Sequence, residues 1–288
     1  MCAMFDGIAE KLTARFGAAG LRRLTAEGAG LPADQAALLQ RCGVPRHVGP
    51  YFASSDGEPE DIGAYHAQLA SPVPDGIQSA WCRIGWDRGG QFFVDDSGAV
   101  RVDFIGLPLS GGLVNESLGG FLESLIALDE TIDLLAAARS VPESAEQIRV
   151  LLKRLANIEM GTIQGPDTWW SRVVEDLRHT ASHAAFAAFE IEDGRGDPRI
   201  VTESGALCLH PEERIWRELH SAGAPADRVK KVHTELEPCF MPGHYCAVWM
   251  VERFGGAEFT HSFDYGRTAG SRESGFLELV RHAAASRD

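Results

Sequence analysis

Residues 231–250 read KVHTELEPCFMPGHYCAVWM. An extended run of β-type residues meets Glu237-Pro238-Cys239, and Cys246 follows after six intervening residues, at the head of an apolar segment of helical character. Pro242-Gly243 between the thiols is a turn signal. A strand, a turn and a helix start therefore bring two sulfurs close together. Two such sulfurs begin a metal site or a redox pair, or else are two buried packing residues. The choice depends on whether the remaining sequence supplies a further ligand.

The 288 residues, 44% of them hydrophobic, suffice for one large domain or two modest ones. No run approaches the roughly 18 apolar residues of a membrane span, so no membrane partner is expected. The opening stretch MCAMFDGIAEKLTARFG, with Asp6 and Glu10 early, predicts an amphipathic helix rather than a signal peptide. A cytoplasmic setting is expected. There thiols stay reduced, and the pairing of Cys239 with Cys246 points to metal or redox use, while Cys2, Cys42, Cys82 and Cys208 read as packing residues or surface thiols. Net charge is −14. Segment 1–140 carries 10 basic and 18 acidic residues, and 181–288 carries 12 and 17. Neither half offers the broad positive surface that binds nucleic acid non-specifically, which leaves only a local groove for that purpose. The one basic cluster, RVKK at 228–231, reads as a solvated loop before a strand.

Three textures follow one another. Up to residue 136 the order is helix, loop, strands, helix. LPADQAALLQRCGVP predicts a helix that stops at Gly43. SAWCRIGWDRGGQFFVDDSGAVRVDF predicts strands broken at Gly89-Gly90 and at Asp96-Ser97-Gly98. VNESLGGFLESLIALDETIDLLAAA predicts a helix with Leu118, Phe121, Leu122, Leu125 and Leu128 on one face. Residues 137–180 predict a helical connector, in which Trp169 and Trp170 read as packing residues. Residues 181–288 predict β-β-α-β-α-β-α, a sheet with helices on its faces. Together this is a two-domain chain: an α+β N-terminal domain over 1–136 and an α/β/α three-layer domain with a mixed sheet over 181–288.

A zinc ion that activates water takes three protein ligands and keeps one position open. Two thiolates call for an imidazole from another element, and a carboxylate should stand beside the open position to move protons. His210-Pro211-Glu212 meets this need, 29 residues before Cys239 and at the head of a predicted helix. Pro211 suits the first helical position, and both His210 and Glu212 can project from that end. Cys246 also opens a helix, where the partial positive charge favours a thiolate. The pattern His-x-Glu, helix, strand, Pro-Cys and a second Cys is that of zinc nucleobase deaminases.

HTELEPCFMPGHYCAVWM resembles the strand and following helix of the cytidine and tRNA-adenosine deaminase superfamily, and CLHPEERIWRELHSAG resembles its His-x-Glu helix. The resemblance spans about 180–288 and is closest to bacterial toxin-type deaminases. It implies His210, Cys239 and Cys246 as zinc ligands and Glu212 as the proton shuttle. The superfamily's usual Cys-x-x-Cys spacing is exceeded, so base preference does not carry over. LPADQAALLQRCGVPRHVGPYF, IGWDRGGQFFVDDSGAVRVDF and LVNESLGGFLESL resemble the fourth branch of the SUKH immunity superfamily. That implies an α+β module that binds a protein partner in bacterial toxin–immunity conflict. Asp95, Asp96 and Asn115 have turn and cap readings there.

The expectation is thus a Zn²⁺-dependent deaminase acting on a nucleobase, cytosine ahead of adenine, in single-stranded nucleic acid or a nucleotide. Two alternatives stand beside it: a non-catalytic immunity or scaffold protein, and a free-nucleotide deaminase of metabolism. Among the other histidines, His233 reads as a strand residue, His244 as a rival ligand or pocket residue, and His261 and Tyr265 as pocket-lining or packing residues.

Overall fold

A computed structural model describes residues 2–25, 31–57 and 60–286, with side chains from Gly7 onward. The reading of Cys2 as a packing or surface thiol lies outside the described side chains. The chain divides into two compact units, one of residues 1–137 with 146–171 and one of 138–145 with 172–288.

The first unit opens with α1 (Cys2–Phe16), β1 (Leu21–Arg22), α2 (Ala33–Arg41), β2 (Val44–Pro45), β3 (His47–Val48), β4 (Phe52–Ala53) and α3 (Ile62–Gln68). Then come β5 (Cys82–Trp86), β6 (Gln91–Val94), β7 (Val100–Asp103), β8 (Gly112–Asn115) and α4 (Leu118–Ala137). Strands β3 to β8 form one sheet in sequence order, antiparallel throughout. The turns fall where Gly89-Gly90 and Ser97-Gly98 place them; Gly98 takes φ 86°, open to glycine without strain. The apolar stripe of α4 is buried as its spacing requires, Leu118, Phe121, Leu122, Leu125 and Leu128 all being inaccessible to solvent. The helix starts later than its sequence stretch, because Val114 and Asn115 end β8.

The 137–180 segment forms α5 (Val141–Ile158) and all but the last two residues of α6 (Trp169–Ser182). Residues 146–171 pack into the first unit, and polar anchors show why. Glu159 accepts hydrogen bonds from Asn115 Nδ2 at 2.8 Å and from the backbone N–H of Glu116 at 2.7 Å. Trp169 donates to Asp87 at 2.7 Å and Trp170 to Asn115 at 2.8 Å, both indoles being buried. The paired tryptophans are packing residues. Asp95 accepts from the N–H groups of Ser97 and Ala99 and from Arg101, as a turn residue does.

The second unit runs β9 (Phe186–Glu192), β10 (Pro198–Ser204), α7 (Pro211–Ser221), β11 (Val229–Leu236), α8 (Cys246–Arg253), β12 (Glu258–Phe263) and α9 (Ala269–Ala285). This is the order the sequence predicts. The sheet order is β10-β9-β11-β12, antiparallel except for the β11/β12 pair, so the sheet of this α/β/α unit is mixed. Alternation along β9 buries Ala187, Phe189 and Ile191 against Ile215 and Leu219 of α7, Met250 of α8 and Phe254 just after it. Helix α9 touches β11 and β12, and Arg272 on it grips Glu175 of α6 at 2.6 Å.

Candidate metal centre

Helix α7 begins one residue after His210, with Pro211 at its first position, and Glu212 follows in the first turn. Pro211 lacks the N–H that would be unpaired there, and its φ suits a helix start. Strand β11 ends at Leu236, and Glu237 fixes the chain beyond it by accepting from the N–H groups of Tyr265 and Gly266. Cys239 follows. Met241 to His244 is then a tight turn, closed by the His244 N–H donating to the Met241 carbonyl at 3.1 Å, with Gly243 at φ 78°. Tyr245 also takes left-handed backbone, φ 45°, and α8 starts at Cys246.

These elements bring His210, Cys239 and Cys246 together: one ligand atom from each lies within 4.8 Å of the others. His210 Nδ1 is 3.4 Å from Cys239 Sγ and 3.5 Å from Cys246 Sγ. Glu212 Oε2 stands 3.9 Å from Cys246 Sγ. Two sulfurs and one imidazole nitrogen, from three different elements, fit the donor set and convergence of a zinc site that keeps a fourth position for water. A cavity of about 60 Å³ reaches His210, Glu212 and Cys239 and continues past Ala206, Leu236 and Tyr265. It exceeds the roughly 10–15 Å³ that one water needs.

The electrostatics come from burial and close partners. Burial pushes the Glu212 carboxyl up to about 7, against the pull of the His210 charge. Burial also opposes ionisation of Cys239, yet a hydrogen bond from Cys246 and the charge of His210 hold it well below the usual thiol range. Cys246 is pushed well up by burial and by the hydrogen bond and charge of Cys239.

A residue the sequence reading missed completes the arrangement. Asp176, on α6 and 1% exposed, places Oδ1 3.0 Å from His210 Nε2 and Oδ2 3.1 Å from His244 Nε2. His244 Nδ1 meets Glu213 Oε2 at 2.6 Å, and the same oxygen accepts from the His210 backbone N–H at 3.1 Å. Burial and the His210 charge oppose protonation of His244, but Asp176 and Glu213 carry it up to about 9. Both carboxylates thus favour the protonated form of His244, which lies between them. Asp176, His210 and His244 are a second group of converging ligand atoms. Its atoms sit at hydrogen-bonding separations, and it uses the opposite nitrogen of His210. The one available signal was an acidic residue inside the apolar stripe of Val173, Val174 and Leu177.

The remaining candidates fall elsewhere. His233 is exposed on β11 and bonds Thr260 and Ser262 of β12, a strand role. His261 pairs with Asp264 at 3.0 Å. Tyr265 lines the cavity and its hydroxyl lies 2.7 Å from His179 Nδ1. Cys42 and Cys82 are buried and Cys208 is half-buried, none of them in the cluster.

Two family models match the chain. The Xanthomonas-like deaminase model matches residues 182–282, which hold His210, Glu212, Cys239 and Cys246. The SUKH-4 immunity protein model matches residues 8–176, more than half the chain, and takes in the segment that packs into the first unit. Neither a curated protein nor a solved structure matches. No helix among the described residues is long and apolar enough to cross a membrane. The chain belongs to the SUKH-4 immunity protein family, and joins to that domain a C-terminal domain of the deaminase family.

Proposed function

We propose that the C-terminal domain is a zinc-dependent deaminase of nucleobases and that the N-terminal domain binds a protein partner in a bacterial toxin–immunity setting. The observation that carries the reading is His210 Nδ1 facing both Cys239 and Cys246 sulfurs, with the Glu212 carboxylate beside them. His210, Cys239 and Cys246 hold the ion and Glu212 is the catalytic acid–base.

When bound, zinc supplies Lewis acidity that makes a water a nucleophile near neutral pH. Glu212 takes the proton of that water at a carboxylate oxygen. Burial raises the affinity of the Glu212 carboxylate for a proton, which favours its taking one from the water. The water oxygen adds to the amine-bearing ring carbon of the base. Glu212 returns that proton to the ring nitrogen, then takes the remaining proton of the added hydroxyl and delivers it to the exocyclic amine; the carbon–nitrogen bond breaks, ammonia leaves, and the added oxygen becomes the carbonyl. Cytosine gives uracil and adenine gives hypoxanthine; cytosine is the first substrate of choice. Ala206 and Leu236 give the cavity apolar wall beside His210 and Glu212.

The test is to incubate the zinc-loaded full chain with single strands, duplexes and free nucleotides, and to measure uracil, hypoxanthine and ammonia. The reading expects product from at least one class, and a loss of about 10²–10⁴-fold in Glu212→Gln with zinc still bound. Zinc uptake without product from any class would favour a scaffold with an idle deaminase fold. Unchanged turnover in Glu212→Gln would remove that residue from its role.

A further inference from the structure

We infer that Asp176 is the positioning residue of this centre, and that the long connection between Cys239 and Cys246 serves to deliver His244 as its second anchor. The inference rests on the zinc reading of His210, Cys239 and Cys246.

An imidazole that offers Nδ1 to a metal must carry its proton on Nε2. Asp176 Oδ1 stands 3.0 Å from His210 Nε2 and accepts that proton's hydrogen bond, which selects the tautomer that leaves Nδ1 free toward the sulfurs. A single hydrogen bond still leaves the ring free to twist about it. The face of His244 removes that freedom: the two rings stack 3.8 Å apart and 9° from parallel. Asp176 is itself held by His244, whose Nε2 lies 3.1 Å from Oδ2. His244 is held from its other side by Glu213, and Glu213 also accepts from the His210 backbone N–H. The hydrogen bonds therefore close a ring through His210, Asp176, His244 and Glu213.

The loop accounts for the spacing. Six residues separate the cysteines. The Pro242-Gly243 turn and the left-handed Tyr245 aim His244, fully buried, inward between them. A two-residue connection has no position for such a side chain. The other half of the device comes from α6, and Asp176 lies outside the 182–282 stretch that the deaminase model matches. The metal centre thus takes a residue from beyond the family's own segment.

The experiment measures zinc affinity of the full chain by competition with a chromophoric chelator, and the visible spectrum of the cobalt(II) form. The variants are Asp176→Asn, His244→Gln and, as a control, Glu175→Gln. Glu175 neighbours Asp176 on α6 and bonds Arg272 at 2.6 Å, so its variant perturbs the same helix without touching His210. Asp176→Asn should weaken zinc binding about 10–100-fold and change the cobalt ligand-field bands while the thiolate-to-cobalt bands persist. His244→Gln should weaken binding several-fold, and it keeps the inference open to refutation if Asp176→Asn does not fold. Glu175→Gln should melt lower with its zinc affinity within about two-fold of wild type. Wild-type affinity in either Asp176→Asn or His244→Gln overturns the inference. So does a Glu175→Gln loss as large as that of Asp176→Asn, because the effect would then be one of helix stability. A wild-type chain that takes up no zinc fails earlier, at the ligand assignment, and removes both.

Discussion

His244 stacks flat on His210, ring centroids 3.8 Å apart, while Asp176 receives a nitrogen from each ring. His244 meets a buried carboxylate at each nitrogen, Glu213 at Nδ1 and Asp176 at Nε2, and both carboxylates favour its protonated form. His244→Ala takes a buried cation from both carboxylates. Breaking a buried ion pair by removing one partner costs about 3–5 kcal/mol. Denaturant unfolding of the full chain should show a loss of that order. A loss below about 1 kcal/mol would mean that the imidazole is not a buried charge.

Two glycines of α9 should respond to alanine with opposite signs. A Cβ at Gly275 would stand 1.8 Å from the Asp264 carbonyl oxygen, a backbone atom that cannot swing aside. Gly275→Ala should destabilise by about 1–3 kcal/mol or more, as overpacking does. At Gly270 a Cβ meets nothing within 4 Å. Gly270→Ala should raise the melting temperature modestly, through about 0.5–1 kcal/mol of helix preference. Equal responses at the two sites would contradict the close approach of α9 to the chain after β12.

Stability should depend on pH through His179. Burial, and then the charge of Arg178, lowers its imidazole to about 4. Arg178 can only donate, and it does so to His179 Nε2 at 2.8 Å, so the neutral ring carries its proton on Nδ1, toward the Tyr265 hydroxyl. The unfolded chain binds a proton at about 6.5, before the fold does. The contribution of His179 is therefore complete above about 6.5 and lost as pH falls from there through about 4. Wild type should lose more stability than His179→Gln between pH 7 and pH 4.5, by up to about 2–3 kcal/mol. Parallel pH curves for the two proteins would place the titration elsewhere.

The element order of the C-terminal domain was legible because each element is short and punctuated. Alternation marks β9, Pro211 marks the start of α7, and Pro242-Gly243 marks the turn before α8. The convergence of His210, Glu212, Cys239 and Cys246 was legible for a chemical reason: two sulfurs call for an imidazole and a carboxylate, and only one nearby pattern places both at a helix start. Asp176 was not legible, since an acid beside another acid, Glu175, on an amphipathic helix looks solvated until the fold turns it inward. His244 was half legible, as a residue between two thiols, but its partners come from α6 and α7. The packing of 146–171 was hidden for the same reason. Glu159 and the two tryptophans bind residues distant in sequence, at positions where a connector would carry similar side chains.

The most direct measurement is X-ray absorption at the zinc edge of the full chain loaded with one equivalent of zinc. The account predicts two sulfurs at about 2.3 Å and two nitrogen or oxygen atoms at about 2.0–2.1 Å, falling to one sulfur in Cys239→Ser. A shell of nitrogen and oxygen alone would place the ion among Asp176, His210 and His244 and contradict the account.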